Sequence, residues 1–303
     1  MNKTVEVAFI IVNFNTKKLL EDLLSFFEIS DMPFSYSIIV VDNASYDGSV
    51  EFLNSKKNII SIKNSENIGY GRAVNKGLLV ANSKYICVLN TDLILDKKSL
   101  ITLWDYMENN PDVGVCAPVI CYPTGRIQGF FFKFNIFLLY SDFIKKVYSK
   151  FKKMSIALSE SPVKVDGITG AFIFLRTSLI DNKRLFDEDF FFYYEDTDLG
   201  HRLKNRNITV MVLPSCKIIH LAGQSSKSKD WKLFYQGKYL YIKKHYGKIH
   251  TTNIYLMDFL KAKIKSTVYK ILTLIYPTKR VKSKFKFYYE LSKNFNKLTP
   301  YVT

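Results

Sequence analysis

Apolar residues in the first part of the chain occur in two patterns, short continuous runs and longer stretches with helical spacing. The continuous runs predict strands over residues 7–12, 36–41, 59–62, 85–89 and 113–118. The stretches between them predict helices over residues 17–28, 48–54, 70–81 and 98–109. In the first helix, Leu20, Leu23, Leu24 and Phe27 have the spacing of one buried face.

This alternation of strands and helices predicts an α/β fold with a central, mostly parallel sheet. Because the strands are almost continuously apolar, we expect helices to cover both faces of the sheet. Further strands are predicted over residues 171–175 and 208–213, whereas residues 121–162 are predicted to be loop-like, with many aromatic and basic side chains.

Polar residues directly follow three of the predicted strands. Asn13 and Asn15 follow the first strand, Asp42 and Asn43 the second, and Asn90 and Asp92 the fourth. Any one of these pairs is also typical of an ordinary polar loop. All three together favour a binding crevice, because ligands of such sheets lie beyond the carboxyl ends of the strands.

The charge of the chain is concentrated near its C-terminus. The 303 residues carry a formal net charge of +17, with 48% hydrophobic and 23% charged residues, which excludes global disorder. Residues 221–303 contain 18 Lys and Arg but only three acids, whereas residues 1–220 contain 26 basic and 24 acidic residues. We therefore expect a domain over residues 1–222 and a basic, mostly helical region over residues 223–303.

Targeting signals are weak in this sequence. The first apolar run, residues 7–12, is shorter than the core of a secretion signal, and no run approaches the roughly 18–20 apolar residues of a membrane span. The four cysteines lack CxxC spacing. These features favour a reduced cytoplasmic protein.

Two acidic segments are candidates for chemistry. Asn90-Thr91-Asp92 ends a strand, where a carboxylate and an amide oxygen can bind a divalent cation together with phosphate oxygens; the alternative is a helix or turn cap at Asp92. Glu195-Asp196-Thr197-Asp198 follows an aromatic run, and mutual repulsion predicts at least one raised pKa, as a general base requires. The alternative is an acidic helix start in which Asp198 pairs with Arg202.

Glycines and a histidine add weaker signals. Gly69 and Gly71 precede a predicted helix and allow a ligand close to the backbone, where Arg72 could meet phosphate. The segment matches neither GxGxxG nor the P-loop pattern. His220 ends an apolar run and is a metal ligand only if it lies near Asp92; otherwise it is an ordinary packed residue.

These motifs occur together in one order: IIVNFN (10–15), VDNASYDGS (41–49), NIGYGRAVNKG (67–77), LNTD (89–92), GITGAFIFLR (167–176), FFFYYEDTDLGHRL (190–203) and IIH (218–220). The ordered set resembles the family 2 glycosyltransferases, and within them the rhamnosyltransferase-like branch. The resemblance covers residues 5–222 and implies the glycosyltransferase A-type nucleotide-binding fold, followed by the basic helical region.

The resemblance implies a donor site and a metal site. The implied donor-binding residues are Asn13, Asn15, Asp42, Asn43, Gly69, Arg72, Asn75, Asn90 and Thr91. Asn13 and Asp42 would contact the ribose and the base of the nucleotide. Asp92 matches the last Asp of the family's DxD motif and His220 a further ligand position, for Mg²⁺ or Mn²⁺. Asn90 replaces the first Asp of that motif, so whether it ligates the metal stays open.

The resemblance also implies the chemistry. Asp196 matches the catalytic base and Glu195 would orient the acceptor, with Gly170 and Tyr194 on the acceptor side. A single displacement that inverts the anomeric carbon needs a base for the acceptor hydroxyl and charge stabilisation for the leaving diphosphate. A relative that binds the donor but has lost catalysis is the alternative, and the presence of both Asp92 and Asp196 disfavours it.

The implied partners are a dTDP- or UDP-linked sugar donor and a saccharide or polyprenyl-diphosphate-linked acceptor of bacterial surface polysaccharide synthesis. Rhamnose is the favoured sugar, and another hexosyl or galactofuranosyl transferase of the same family is the alternative.

The basic region leaves its partner open. Apolar residues over 256–276 recur at helical spacing, with lysines largely elsewhere on the helix. This pattern is typical of a helix on the anionic, cytoplasmic face of the membrane, and equally of a helix packed on the catalytic domain. Tyr, Phe and Lys interleaved in this way could also bind nucleic acid. Because the basic excess avoids residues 1–220, no nucleic-acid partner is expected.

Overall fold

The computed structural model describes residues 4–128, 137–221 and 230–301. The chain divides into two compact units, Met1–Asn135 with Ser141–Ser228, and Ile136–Tyr140 with Lys229–Thr303. This division lies six residues beyond the boundary expected after residue 222. The short segment 136–140 belongs to the second unit, which composition does not predict.

Nine strands of the described residues form one mixed sheet in the first unit. In chain order they are β1 (Val5–Asn13), β2 (Tyr36–Asp42), β3 (Ile59–Lys63), β4 (Ser83–Asn90), β5 (Leu93–Ile94), β6 (Val113–Cys121), β7 (Val163–Val165), β8 (Phe172–Arg176) and β9 (Thr209–His220). The spatial order is β3-β2-β1-β4-β8-β6-β9-β5, with β7 also paired to β9.

The strands β3, β2, β1 and β4 run parallel to one another. Strand β8 is antiparallel to both β4 and β6, and β6 and β9 are again parallel. The short strands β5 and β7 pair antiparallel with β9. The predicted α/β fold with a mostly parallel central sheet is therefore confirmed, and the antiparallel β8 is inserted between its two parallel parts.

Helices of the first unit connect its strands and cover the sheet. They are α1 (Lys17–Ile29), α2 (Ser49–Asn54), α3 (Tyr70–Val80), α4 (Lys97–Asn109), α6 (Asp142–Ala157) and α7 (Glu195–Asn205), whereas α5 (Phe137–Tyr140) belongs to the second unit. The prediction that residues 121–162 are loop-like is wrong for α6. Its lysine-rich sequence hides the helical period, although Ser141 caps its first turn by accepting from the Ile144 backbone N–H at 3.3 Å.

The two faces of the sheet pack into two separate apolar cores, as the continuous apolar strands predict. Successive residues of β1 point to opposite faces: Phe9 packs in the core with helices α1 and α4, and Ile10 packs in the core with helices α3 and α7. Both side chains are fully buried. The carboxyl ends of the strands, where the polar residues lie, are thus carried by a layer that is rigid on both sides.

The second unit consists of α5 and two longer helices. Helix α8 (Trp231–Ile275) is interrupted at Gly247, where φ is 84° and ψ 171°, and α9 (Lys279–Lys293) is followed by a 3₁₀ turn over Phe295–Tyr301. Lys238 and the Tyr239 hydroxyl both donate to Asp258 Oδ2, at 2.5 and 3.2 Å, across that interruption. Over the described residues, no helix combines the length and apolarity needed to cross a membrane.

Arg176, the last residue of β8, ties the sheet to the end of helix α4. Its Nη2 donates to the carbonyl oxygens of Met107 and Asn110, at 2.6 and 3.0 Å, and its Nε to that of Val113 at 2.9 Å. A cation at the carbonyl end of a helix is stabilised by the helix dipole. This side chain therefore anchors a helix end, a turn and a strand together.

The substitution Arg176→Met should lower the free energy of unfolding by about 3 kcal/mol, because it leaves several carbonyl groups without their charged donor. Urea denaturation at fixed pH measures this change. Arg206→Met is the control: Arg206 is exposed and pairs with Asp181 at the surface, so its loss should cost less than about 1 kcal/mol. Equal losses in both variants would contradict the anchoring role of Arg176.

Candidate functional site

The predicted polar residues meet at one edge of the sheet. In the parallel pairing, Asn13 lies opposite Asp42 on β2, and Val12 lies opposite Asn90 on β4. The ends of three neighbouring strands are therefore in register, as expected from the order of the strands.

Asn13 and Asp42 form a buried, rigid pair. Asn13 Nδ2 donates to Asp42 Oδ2 at 2.7 Å, and the Thr16 hydroxyl donates to Asn13 Oδ1 at 2.7 Å. The Ser45 backbone N–H donates to Asp42 Oδ1 at 2.8 Å. Neither Asn13 nor Asp42 is exposed. These side chains are held in one orientation before any ligand binds.

The flanking asparagines shape the loops around this pair. Asn15, in the left-handed region with φ 54°, accepts from the Tyr46 backbone N–H at 2.9 Å. Asn43 donates to the Gly69 carbonyl oxygen at 3.2 Å and accepts from Asn64 at 2.8 Å. Asn43 thus joins the end of β2 to the glycine segment before α3.

Gly69 lies where two segments touch. Its φ of 89° is unfavourable for residues with a side chain, and an added Cβ would lie 2.4 Å from the Phe191 carbonyl oxygen. The next backbone N–H, of Tyr70, donates to that same oxygen at 3.0 Å. Arg72 is exposed and its Nε donates to the Glu188 carbonyl oxygen at 2.8 Å.

The Asn75 side chain is hydrogen-bonded to residues 185–188 and not to the polar residues at this edge of the sheet. Its Oδ1 accepts from the backbone N–H groups of Leu185 and Phe186, and its Nδ2 donates to the Phe186 carbonyl oxygen and to Glu188. These bonds use its whole amide. Asn75 therefore holds residues 185–188 in position. Its expected role in donor binding stays a prediction, and these contacts do not favour it.

Asp92 and His220 are in contact, which is the condition under which the sequence predicts His220 as a metal ligand. His220 Nε2 lies 3.1 Å from Asp92 Oδ1, and strands β5 and β9 pair Leu93 with His220. The Asp92 side chain is fully buried. Asn90 lies half-buried beside them, and Thr91 is buried with its hydroxyl 3.0 Å from that of Thr16.

Gln128 orients the histidine ring and is a residue that the sequence did not indicate. Its Nε2 donates to the His220 carbonyl oxygen at 2.6 Å, which turns its Oε1 towards His220 Nδ1 at 2.8 Å. Because an amide oxygen only accepts, the contact with Gln128 Oε1 needs a proton on His220 Nδ1, and Nε2 is the ring nitrogen that faces Asp92.

Asp196 is held at the first turn of α7 by the loop before β8. The Gly170 backbone N–H donates to Asp196 Oδ2 at 3.0 Å, and the Thr197 hydroxyl donates to Oδ1 at 3.1 Å. The neighbouring Ala171 carbonyl oxygen accepts from the Asn90 backbone N–H at 3.0 Å. Two consecutive residues therefore bring the start of α7 next to the end of β4.

The chain enters α7 through a strained turn. Tyr193 and Tyr194 both have φ of 71°, in the region that favours glycine. The turn leaves Tyr194 half-buried just before the helix and directs Glu195 inward. Backbone strain of this kind is concentrated at functional sites.

Burial controls the charge of the acidic cluster. It raises the pKa of Glu195 to about 8, with the neighbouring Asp196 as the second cause, and Glu195 Oε2 is buried without a hydrogen-bond partner. Burial also raises the pKa of Asp196, against the hydrogen bonds from Gly170 and Thr197 that lower it. The predicted raised pKa is therefore present at both Glu195 and Asp196.

Tyr70 contacts the loop that holds Asp196. Its hydroxyl donates to the Gly170 carbonyl oxygen at 2.8 Å. Burial, and then the charges of Glu195, Asp196 and Asp92, raise its pKa well above the usual value. The charges of three carboxylates therefore act on one buried phenol.

Asp198 forms the ion pair with Arg202 that the sequence offered as an alternative to a role in chemistry. Arg202 Nε donates to Asp198 Oδ2 at 2.7 Å, and the carboxylate is almost fully buried. The same arginine donates to the Leu185 carbonyl oxygen at 2.7 Å. The predicted pair across one helical turn is confirmed.

Two solved structures share this architecture. The mannosyltransferase PcManGT from Pyrobaculum calidifontis, in complex with GDP-Man and Mn²⁺, is 12% identical, with a TM-score of 0.56 over 99% of this chain and 86% of that one. Residues 1–349 of S. aureus TarS, in complex with UDP, are 15% identical, with a TM-score of 0.53 over 82% and 69%. These likenesses define the fold as the glycosyltransferase A type.

Sequence comparison then identifies the family. The family described as "Glycosyl transferase family 2" matches residues 8–181, more than half of the chain, so this protein belongs to glycosyltransferase family 2.

Its relatives include rhamnosyltransferases. An N-acetylglucosaminyl-diphospho-decaprenol L-rhamnosyltransferase of Mycobacterium tuberculosis is 24% identical over 63% of this chain and 68% of its own length. Rhamnosyltransferase WbbL of Escherichia coli is 27% identical over 51% and 58%. The resemblance to this branch of the family is confirmed.

The buried Glu195 predicts a pH dependence of stability. Its pKa is raised from the ordinary 4.5 to about 8 on folding, so its contribution is fully present below pH 4.5 and is lost as pH rises through 8. Relative to Glu195→Gln, the wild-type free energy of unfolding should therefore fall by about 1.4 kcal/mol per pH unit in that window.

Urea denaturation between pH 5 and pH 8, without added metal, measures this difference; these pH values lie within the window set by the shift. The exposed Glu66→Gln serves as the control and should leave the wild-type pH profile unchanged. Parallel pH profiles for the wild type and Glu195→Gln would contradict the assignment of a buried, protonated Glu195.

Proposed function

We propose that this protein transfers a sugar from a nucleoside-diphosphate donor to a hydroxyl of a saccharide acceptor, with inversion at the anomeric carbon. The observation that carries the proposal is the link through Gly170 and Ala171. It brings the Asp196 carboxylate next to the strand end that leads into Asp92. A base and a diphosphate site at one edge are what a single displacement needs.

The donor would bind along the ends of β1, β2 and β4. Asn13 and Asp42, fixed by Thr16 and Ser45, would contact the base and the ribose. Asn15, Asn43 and Gly69 would shape the loops around the nucleotide, and Asn90 and Thr91 would lie next to the diphosphate. Arg72 is exposed and would reach the diphosphate by leaving the Glu188 carbonyl oxygen.

Asp92 and His220 fit a Mg²⁺ or Mn²⁺ site that is shared with phosphate. Their facing atoms are 3.1 Å apart, close to the spacing of neighbouring ligands on a cation with bonds of about 2.1 Å. In the described part of the chain, no three His, Cys, Asp or Glu side chains cluster closely enough to hold a metal. The other ligands would be diphosphate oxygens and water, and the bound cation would stabilise the charge of the leaving group.

Asp196 would act as the base. The acceptor oxygen attacks the anomeric carbon, the bond from that carbon to the diphosphate oxygen breaks, and the acceptor proton passes to Asp196. Burial would keep Glu195 neutral at pH 7, whereas Asp196 accepts hydrogen bonds from Gly170 and Thr197 that favour its charged form. Glu195 would orient the acceptor, which would lie against Gly170 and Tyr194.

Rhamnose from dTDP-rhamnose is the proposed donor sugar, because two relatives are named as rhamnosyltransferases. One of them is named for an acceptor with a diphospho-decaprenol group, which supports a polyprenyl-diphosphate-linked acceptor here. An abequosyltransferase of Salmonella typhimurium, 31% identical over 36% of this chain and 35% of its own length, supports another sugar as the alternative. A role in surface polysaccharide synthesis at the cytoplasmic face of the membrane completes the proposal.

Nucleotide binding should depend on Asp92. Thermal unfolding with dTDP, UDP, GDP or ADP, each with and without Mn²⁺, measures it. The matching nucleotide at a hundred times its Kd should stabilise the protein by about 2.7 kcal/mol in the presence of Mn²⁺. Asp92→Ala should abolish the metal-dependent part, and the exposed Asp112→Ala should retain it. A shift that is independent of both metal and Asp92 would contradict the proposed donor site.

Turnover should depend on Asp196. Release of nucleoside diphosphate from dTDP-rhamnose, with a polyprenyl-diphosphate-linked saccharide as acceptor, should fall about a hundredfold or more in Asp196→Asn. Nucleotide-dependent stabilisation should stay at the wild-type level, because Asp196 is not assigned to the donor site. Asp112→Asn is the control with full turnover. Loss of nucleotide binding in Asp196→Asn would refute its assignment as the base.

A further inference from the structure

The second half of helix α8 has two apolar sides. After the interruption at Gly247, one side is buried within the second unit, at Thr251, Ile254, Asp258 and Ala262. The opposite side carries six large aliphatic residues that are each between 46% and 62% exposed. We call these six residues the apolar stripe: Leu256, Leu260, Ile264, Val268, Ile271 and Ile275.

The stripe is continuous along the helix. Its members are three or four residues apart, which places them on one face. The 19 residue-to-residue steps from Leu256 to Ile275 correspond to about 28 Å of helix. Continuous exposed apolar surface of this kind is uncommon in monomeric proteins and marks an interaction site.

Lysines border the stripe on both sides. At about 100° per residue, Lys263 and Lys270 fall along one border and Lys261 along the other, whereas Lys265 lies towards the buried side and donates to the Tyr288 hydroxyl at 3.3 Å. The only acid in this half of the helix, Asp258, is on the buried side and pairs with Lys238. The stripe is therefore an aliphatic surface with a positively charged rim.

We propose that the apolar stripe binds the surface of an anionic lipid bilayer. The aliphatic side chains would enter the boundary between headgroups and acyl chains, and the bordering lysines would lie among the anionic headgroups. The helix would lie in the plane of the membrane surface. The proposal concerns the second unit and does not depend on the activity of the first.

The charge of the lysines beside the apolar stripe favours an anionic bilayer over a second copy of this chain or nucleic acid as the binding partner. In a second copy of this chain, the lysines of one stripe would face the lysines of the other, which is repulsive. Nucleic acid would be attracted to the lysines but offers no apolar surface for six aliphatic side chains. An anionic bilayer satisfies both parts of the surface.

Sedimentation of the full-length protein with vesicles tests the aliphatic part. We expect binding to vesicles of equal parts phosphatidylcholine and phosphatidylglycerol, and much weaker binding to phosphatidylcholine alone. Ile264→Gln with Ile271→Gln should lower the partition coefficient more than tenfold. The matched control is Ile29→Gln with Leu79→Gln, which changes two exposed aliphatic residues of the first unit and should leave binding unchanged.

Neutralising the rim tests the charged part. Lys263→Gln with Lys270→Gln should lower binding on the order of 30-fold, because each lysine near an anionic surface contributes about a fivefold factor. Lys57→Gln with Lys98→Gln removes the same charge from exposed sites of the first unit and should have little effect. Helical circular dichroism and nucleotide-dependent stabilisation should be unchanged in every variant.

Four results would overturn the proposal. The first is absence of binding to the anionic vesicles, and the second is binding that the stripe substitutions leave unchanged. The third is a wild-type dimer that becomes a monomer in Ile264→Gln with Ile271→Gln, which would make the stripe a subunit interface. Duplex DNA bound more tightly than the vesicles would likewise assign the lysines to nucleic acid.

Discussion

Gly170 and Ala171 are hydrogen-bonded to the two parts of the chain that carry the central acidic residues. Gly170 donates its backbone N–H to Asp196, and Ala171 accepts from the backbone N–H of Asn90. The antiparallel strand β8 follows at once and pairs with β4, so the loop cannot move independently of the sheet. An added Cβ at Gly170 would lie 3.4 Å from the Asp196 Cβ, which is ordinary van der Waals contact.

The first turn of α7 places three carboxylates close together, and the fold limits their negative charge in three ways. Glu195 is protonated near neutral pH because burial raises its pKa. Asp198 pairs with Arg202. The first turn of α7 presents backbone N–H groups to the acids, and the Tyr70 phenol keeps its proton beside them. Asp196 is left with hydrogen bonds that favour its charged form.

The elements that the sequence predicted correctly have strong local signals. The continuous apolar runs gave β1 to β4 and β6 to within a few residues at each end, and the Asp198–Arg202 pair follows from helical spacing. Helix α6 was missed because its many lysines obscure the helical period. Gln128 was missed because its contact with His220 spans 92 residues and has no local signature. Asn75 was expected near the donor from its motif, whereas only tertiary structure reveals its bonds to residues 185–188.

The account depends most on one claim, that a nucleoside diphosphate and a divalent cation bind together beside Asp92. Phosphorus NMR of bound dTDP or UDP in the presence of substoichiometric Mn²⁺ tests it most directly, because the paramagnetic ion broadens only nearby phosphorus signals. The account predicts strong broadening of both phosphate signals in the wild type and its loss in Asp92→Ala. Equal broadening in the two proteins would place the cation elsewhere and contradict the account.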